Sequence, residues 1–132
     1  MTRTPPLVLA TVALVAAYAI GAVIAVAGGI ASVAEVFGNG SKTSAPFFIL
    51  VVELLAAYAF LRGRIAGAWV LVAMSGLSTA AFLFDGDFNA DGLATGHVVW
   101  QAVEGWLAVL VFSLAVTALI RRRRRPAAAA AA

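Results

Sequence analysis

Cysteine is absent from the 132 residues, lysine and histidine occur once each (Lys42 and His97), and charged residues make up only 11% of the chain. Without thiols there are no disulfides, no thiolate catalysis and no thiolate metal centres. One imidazole excludes bis-histidine haem ligation, and a few carboxylates beside it make a sparse metal set. No cofactor is therefore expected. The scarcity of charge says most. Soluble proteins carry roughly 45–50% apolar and about 25% charged residues, but here 64% are apolar. One domain of this length cannot hide that much hydrocarbon from water, so the surrounding medium is expected to be lipid.

The apolar residues fall into four runs: Leu7 to about Ala34, Pro46 to Leu61, Ile65 to Phe84, and His97 to Ile120. A helix needs about 20 residues to cross a hydrocarbon core, with roughly 17–25 the usual range. Helices satisfy their own backbone hydrogen bonds in lipid, whereas isolated strands do not. The expected fold is an all-α integral membrane protein, an antiparallel four-helix transmembrane bundle. Its helices should run over about 7–34, 46–62, 65–84 and 97–120. Residues 1–125 form a single four-span domain, followed by a low-complexity tail at 126–132.

Charge placement orients this arrangement. Arg3 precedes the first run, Arg62 and Arg64 separate the second from the third, and Arg121 to Arg125 follow the fourth. All eight arginines thus fall on one side of a four-span chain. Lys42, Glu35, Asp85, Asp87 and Asp91 fall on the other. By the positive-inside rule both termini are cytoplasmic, N-in and C-in. The abundance of alanine, valine, glycine and arginine suggests a GC-rich bacterial genome, hence a multi-pass protein of the cell (cytoplasmic) membrane. "AVA" at Ala25 to Ala27 before Gly28 has the small residues of a signal-peptide cleavage site. The apolar stretch ahead of it exceeds the ~7–15 residues of a signal core, so the segment is read as a retained helix.

The connectors are short. "GNGSKTSAP" and "DGDFNADGLATG" are outer loops rich in turn formers. "RGR", Arg62 to Arg64, permits only a tight helical hairpin, so the second and third helices should pack antiparallel. The arginine run at Arg121, Arg122, Arg123, Arg124 and Arg125 should lock topology and attract anionic inner-leaflet lipid. No aromatic residues interleave it to stack on bases, so nucleic acid is not an expected partner.

Three features are candidates for function. The first helix carries Ala13, Ala17, Gly21, Ala25 and Gly29 at four-residue spacing. Such a small-residue stripe lets helix backbones approach closely. It serves packing within the bundle, a homo-oligomer, or docking into a larger membrane-protein complex. The second feature is the outer loop. Asp87, Asn89 and Asp91 followed by Gly92 match positions one, three, five and six of a calcium loop. Position twelve should be a bidentate carboxylate and is Val98, so any calcium site is weak. Asp, Asn and Gly also suit an ordinary exposed turn.

The third feature is a set of acids in oil. Glu53 and Glu104 each lie seven residues inside their expected outer helix ends, roughly 10 Å deep. His97, Gln101 and Glu104 share one helix face by their i, i+4, i+7 spacing. Ser75, Ser78 and Thr79 reach the same half of the bilayer, and Glu35 ends the first helix near its outer surface. No lysine or arginine shares this depth. An ionised carboxylate in a membrane interior costs about 3 kcal/mol even on the lenient insertion scale. Protonation, a bound cation, a water-filled vestibule or a partner's positive charge would each meet that cost. The plainest alternative keeps the acids neutral and hydrogen-bonded to hydroxyls across helices.

In size and span count the chain resembles small multidrug-resistance transporters. Their essential glutamate lies in the first helix, where this sequence has Tyr18 and small residues. The resemblance therefore stops at architecture. No serine–histidine–acid set, phosphate-cradling glycine loop or redox motif is present, so an enzyme is not expected. The leading expectation is a non-catalytic accessory or assembly subunit acting through lateral helix contacts. The second is a small oligomeric proton- or cation-coupled transporter, or an ion-binding protein, using Glu53 and Glu104 with Gln101, His97 and Glu35 nearby.

Overall fold

The computed structural model describes residues 4–29, 32–37, 47–84 and 95–131. Their secondary structure is entirely helical: α1 Pro6–Ala27, α2 Val33–Phe37, α3 Phe47–Leu61, α4 Ile65–Phe84 and α5 Thr95–Ala131, with no strand among them. Three segments, Pro6–Ala27, Ile65–Phe84 and Val99–Arg124 of α5, are long and apolar enough to cross a membrane. With 15 residues α3 is shorter, about 22 Å at the usual helical rise.

Two helix boundaries differ from those expected. The first helix was expected to reach about Ala34, but it stops at Ala27. Gly28 donates to the Ile24 carbonyl at 2.9 Å, Gly29 donates to Val26 at 3.1 Å, and Gly29 then turns left-handed at φ 72°. A left-handed glycine is a common way to end a helix. The chain resumes as the separate five-residue α2. The last helix, expected over 97–120, extends in both directions to Thr95–Ala131. Arginine and alanine are strong helix formers, and the helix runs on through Pro126, the one residue of that run that disfavours it.

Helices α3 and α4 are joined by the predicted hairpin. Gly63, at φ 83°, donates to Phe60 at 2.9 Å, and Arg64 donates to Ala59 at 2.9 Å. This pair of bonds is the Schellman termination, which requires a residue comfortable at positive φ. One turn later Gly67 lies against the Ala56 carbonyl and the Phe60 backbone, where a Cβ would have no room. That close approach draws α3 and α4 together. Along the next seam, Gly76 faces Phe112, and Phe82 packs on Gly105 and edge-on against Trp106 at 5.6 Å. As α4 advances α5 recedes, so the two helices run in opposite directions.

Contacts between α1 and α3, α3 and α4, α4 and α5, and α5 and α1 close a ring. The apolar part of the interior is lined chiefly by small and medium side chains: Leu14, Ala56, Ala68, Leu71, Ala108, Val111 and Ala115. The outside bears many large apolar side chains, including Leu9, Val23, Leu55, Leu77, Phe84 and Trp106. The small side chains of Ala56, Ala68, Ala108 and Ala115 in the interior let the helix backbones approach closely.

Candidate functional site

Helix α3 is apolar around its whole circumference apart from Glu53, so its pattern gives no face to orient. Packing decides the matter. Ala56 and Ala57 are buried three and four residues after Glu53, and this small-residue face turns toward the ring. It carries Glu53 inside, to 0% exposure. On α5, Gln101, Glu104, Gly105, Ala108, Val111 and Ala115 form one buried face at helical spacing. Glu104 is 7% exposed. Both acids therefore face the interior rather than the outer surface of the ring.

Tyr18 of α1 lies within electrostatic range of both. Its hydroxyl hydrogen-bonds with Ser78 of α4, and both Glu53 and Glu104 lie close enough to act on it electrostatically. All four long helices thus contribute to one buried polar cluster. Gly21, one turn beyond Tyr18, leaves the space that a Glu104 carboxylate oxygen and the Trp100 ring occupy. The Trp100 indole donates to the Ala17 carbonyl at 2.9 Å and also lies within hydrogen-bonding reach of the Glu104 carboxylate. A single indole N–H thereby ties α1 to α5 beside the acid.

The hydroxyls that the sequence offered as partners are largely engaged elsewhere. Ser75 donates to the Leu71 carbonyl of its own helix, and Ser78 is taken up by Tyr18. Among the described residues neither oxygen of Glu53 has a hydrogen-bond partner, nor do Glu104 Oε1 and Thr79 Oγ1. Buried polar atoms in proteins are overwhelmingly hydrogen-bonded, so a carboxyl group with both oxygens unpartnered marks a place where chemistry is expected. The described arginines, by contrast, are all exposed: Arg62, Arg64 and Arg121 to Arg124.

Other candidates are placed as follows. Ala17, Gly21 and Ala25 of the small-residue stripe are buried within the ring, while Ala13 and Gly29 at its ends are exposed. The side chains of Glu35, His97 and Arg125 lie outside the described residues, as does the calcium-loop candidate Asp87, Asn89 and Asp91. No group of three or more His, Asp or Glu side chains converges among the described residues. A multidentate divalent-metal site therefore has no support there.

Tyr18 and Trp100 are the members that sequence reasoning did not place in the site, though each had a signal. Tyr18 adjoins Ala17 of the stripe and stands three residues before Gly21; Trp100 stands one turn before Glu104. Replacing Trp100 with phenylalanine keeps the ring but removes the bond to Ala17. We expect Trp100→Phe to cost about 1 kcal/mol of stability, within the range for interhelical bonds in membranes. Chemical unfolding in mild detergent measures this, and an unchanged midpoint would remove the indole from the α1–α5 tie. No known protein family, curated protein or solved structure matches the chain.

Proposed function

We propose that this chain is a non-catalytic integral membrane protein that takes up a proton or a small cation at two buried carboxylates, Glu53 and Glu104. In this reading the ring is an antiparallel four-helix bundle of a bacterial cytoplasmic membrane, with both termini inside. Helix α3 lies along α4 in a tight hairpin, so a bilayer that contains α4 must take in α3 as well. Its short apolar length is met by local thinning and by Arg62 and Arg64 reaching the headgroups. A fourth crossing also puts all eight arginines on one side.

One observation carries the functional reading. Two buried carboxylates each act electrostatically on one tyrosine hydroxyl inside the ring, and Glu53 has no hydrogen-bond partner among the described residues. Ionisable groups within membrane spans are costly, and they characteristically mark ion and proton pathways. The accessory-subunit reading rested on the small-residue stripe and on glutamates awaiting a partner's charge. Ala17, Gly21 and Ala25 are spent on packing within the ring, and both acids point inward. That reading retains only the apolar outer faces, which lipid covers equally well. The protein is expected to work as a homo-oligomer or within a larger membrane complex.

The test is flux through the purified protein in sealed liposomes. A pH-sensitive dye inside, with an imposed potassium diffusion potential, reports proton entry; sodium or potassium entry is followed in parallel. Protein-dependent flux of at least one of these ions is expected. Liposomes no leakier than protein-free ones to all three would exclude transport, and unaltered proton or cation binding in detergent after loss of either acid would exclude the ion site.

A further inference from the structure

At the opposite end of the α4–α5 seam from Phe82 and Trp106, a groove of about 210 Å³ lies between the two helices. Trp69 and Val72 line it from α4; Val116, Leu119, Ile120 and Arg123 line it from α5. The residues on α5 fall at i, i+3, i+4 and i+7, a single helix face. Of the five consecutive arginines, Arg123 is therefore the one whose position continues this apolar stripe. It places a guanidinium at the end of a groove otherwise built of hydrocarbon and one half-exposed indole. Arg62 and Arg64 stand just before α4, one to two turns from Trp69, so basic groups flank the same end from both helices.

This division of chemistry, an oily trough closed by cations, fits an amphiphile with one anionic head. We propose that the groove seats an acidic phospholipid of the cytoplasmic leaflet, its phosphate on Arg123 and the start of one acyl chain against Trp69, Val72, Val116 and Leu119. Charge complementarity selects this occupant. A zwitterionic lipid would bring its own cation to a rim already positive, and an apolar helix from a second copy would leave Arg123 desolvated and unpaired. Guanidinium pairs with phosphate through two parallel hydrogen bonds, which fixes the headgroup as well as attracting it. The ion-handling role of Glu53 and Glu104 is not required for this site; only the bilayer crossing is.

The test uses the full chain carrying Trp100→Phe and Trp106→Phe, which leaves Trp69 as the only tryptophan. In phosphatidylcholine vesicles a minor fraction of lipid is replaced by either phosphatidylglycerol or phosphatidylcholine brominated near the headgroup end of the acyl chain. Brominated phosphatidylglycerol should quench Trp69 at markedly lower mole fraction than brominated phosphatidylcholine. Arg123→Gln should weaken that preference about fivefold, the loss of one guanidinium contact. Arg122→Gln removes the same charge from a different face and should leave the preference nearly intact. Equal quenching by the two lipids overturns the proposal. So does equal loss in both arginine variants, which would reduce the effect to the net charge of the run.

Discussion

Replacing Gly21 with leucine is expected to abolish the folded, monodisperse protein. A Cβ at this position would meet a Glu104 carboxylate oxygen, with the Trp100 Cδ1 and Nε1 just beyond at 3.0 and 3.1 Å. Leucine adds three more carbons on the seam where α1 and α5 touch. Overpacking a close contact typically costs about 1–3 kcal/mol, and more where the neighbours cannot yield. Here they cannot all yield, because Trp100 is held by its bond to Ala17. Alanine is a milder probe: the Glu104 carboxylate can swing aside for one methyl group, so Gly21→Ala should lower the unfolding midpoint without preventing folding. Ala13 belongs to the same stripe but is exposed. Ala13→Leu should therefore behave like the unaltered protein in size-exclusion profile and unfolding. If Gly21→Leu also did so, the α1–α5 seam described above would be wrong.

The second large effect separates function from stability. Glu53→Gln and Glu104→Gln preserve side-chain shape and remove the capacity to lose a proton or hold a cation. Each should reduce flux by roughly 100-fold or more, the usual scale for removing a proton-transferring group. Neither should weaken the fold, since an amide buried in this cluster avoids the cost of an ionised acid, about 3 kcal/mol on the insertion scale. Lost flux with an unchanged or raised unfolding midpoint is the expected signature. If the acids were merely neutral hydrogen-bonding groups holding helices together, glutamine would serve nearly as well, and flux would persist. Tyr18→Phe should fall between these cases, keeping the packed ring while removing the hydroxyl on which both carboxylates act.

How much of this was legible in the sequence varied from element to element. Apolar length alone located the helices, because a hydrocarbon run long enough to cross a bilayer must bond its backbone internally. The end of α1 was also written in the chain, as Gly28–Gly29, but continuous hydropathy through Ala34 masked it. Beyond Ile120 the opposite happened: the change from apolar to basic residues alters polarity but not helix propensity, and the helix continues through the arginines. Glu104 could be placed on a face with Gln101 by spacing. Glu53 could not, since α3 is uniformly apolar and its orientation comes from packing of Ala56, Ala57 and Gly67 against neighbouring backbone. Tyr18 stayed hidden for a related reason. Its position beside the small-residue stripe was a local signal, but its role depends on which helix lies opposite, a property of the assembled ring.

The central claim is that the chain crosses a bilayer four times with its arginines inside, holding two acids within the ring. Because the protein has no native cysteine, a single introduced thiol reports topology without background. Gly40→Cys, in the connector between α2 and α3, can be treated in intact cells with a membrane-impermeant maleimide, beside a second variant bearing its cysteine at Ala130. The account predicts that Gly40→Cys is labelled from outside, and that Ala130→Cys is labelled only after the cells are opened. Labelling of Gly40→Cys only in opened cells, or of both positions from outside, would contradict it.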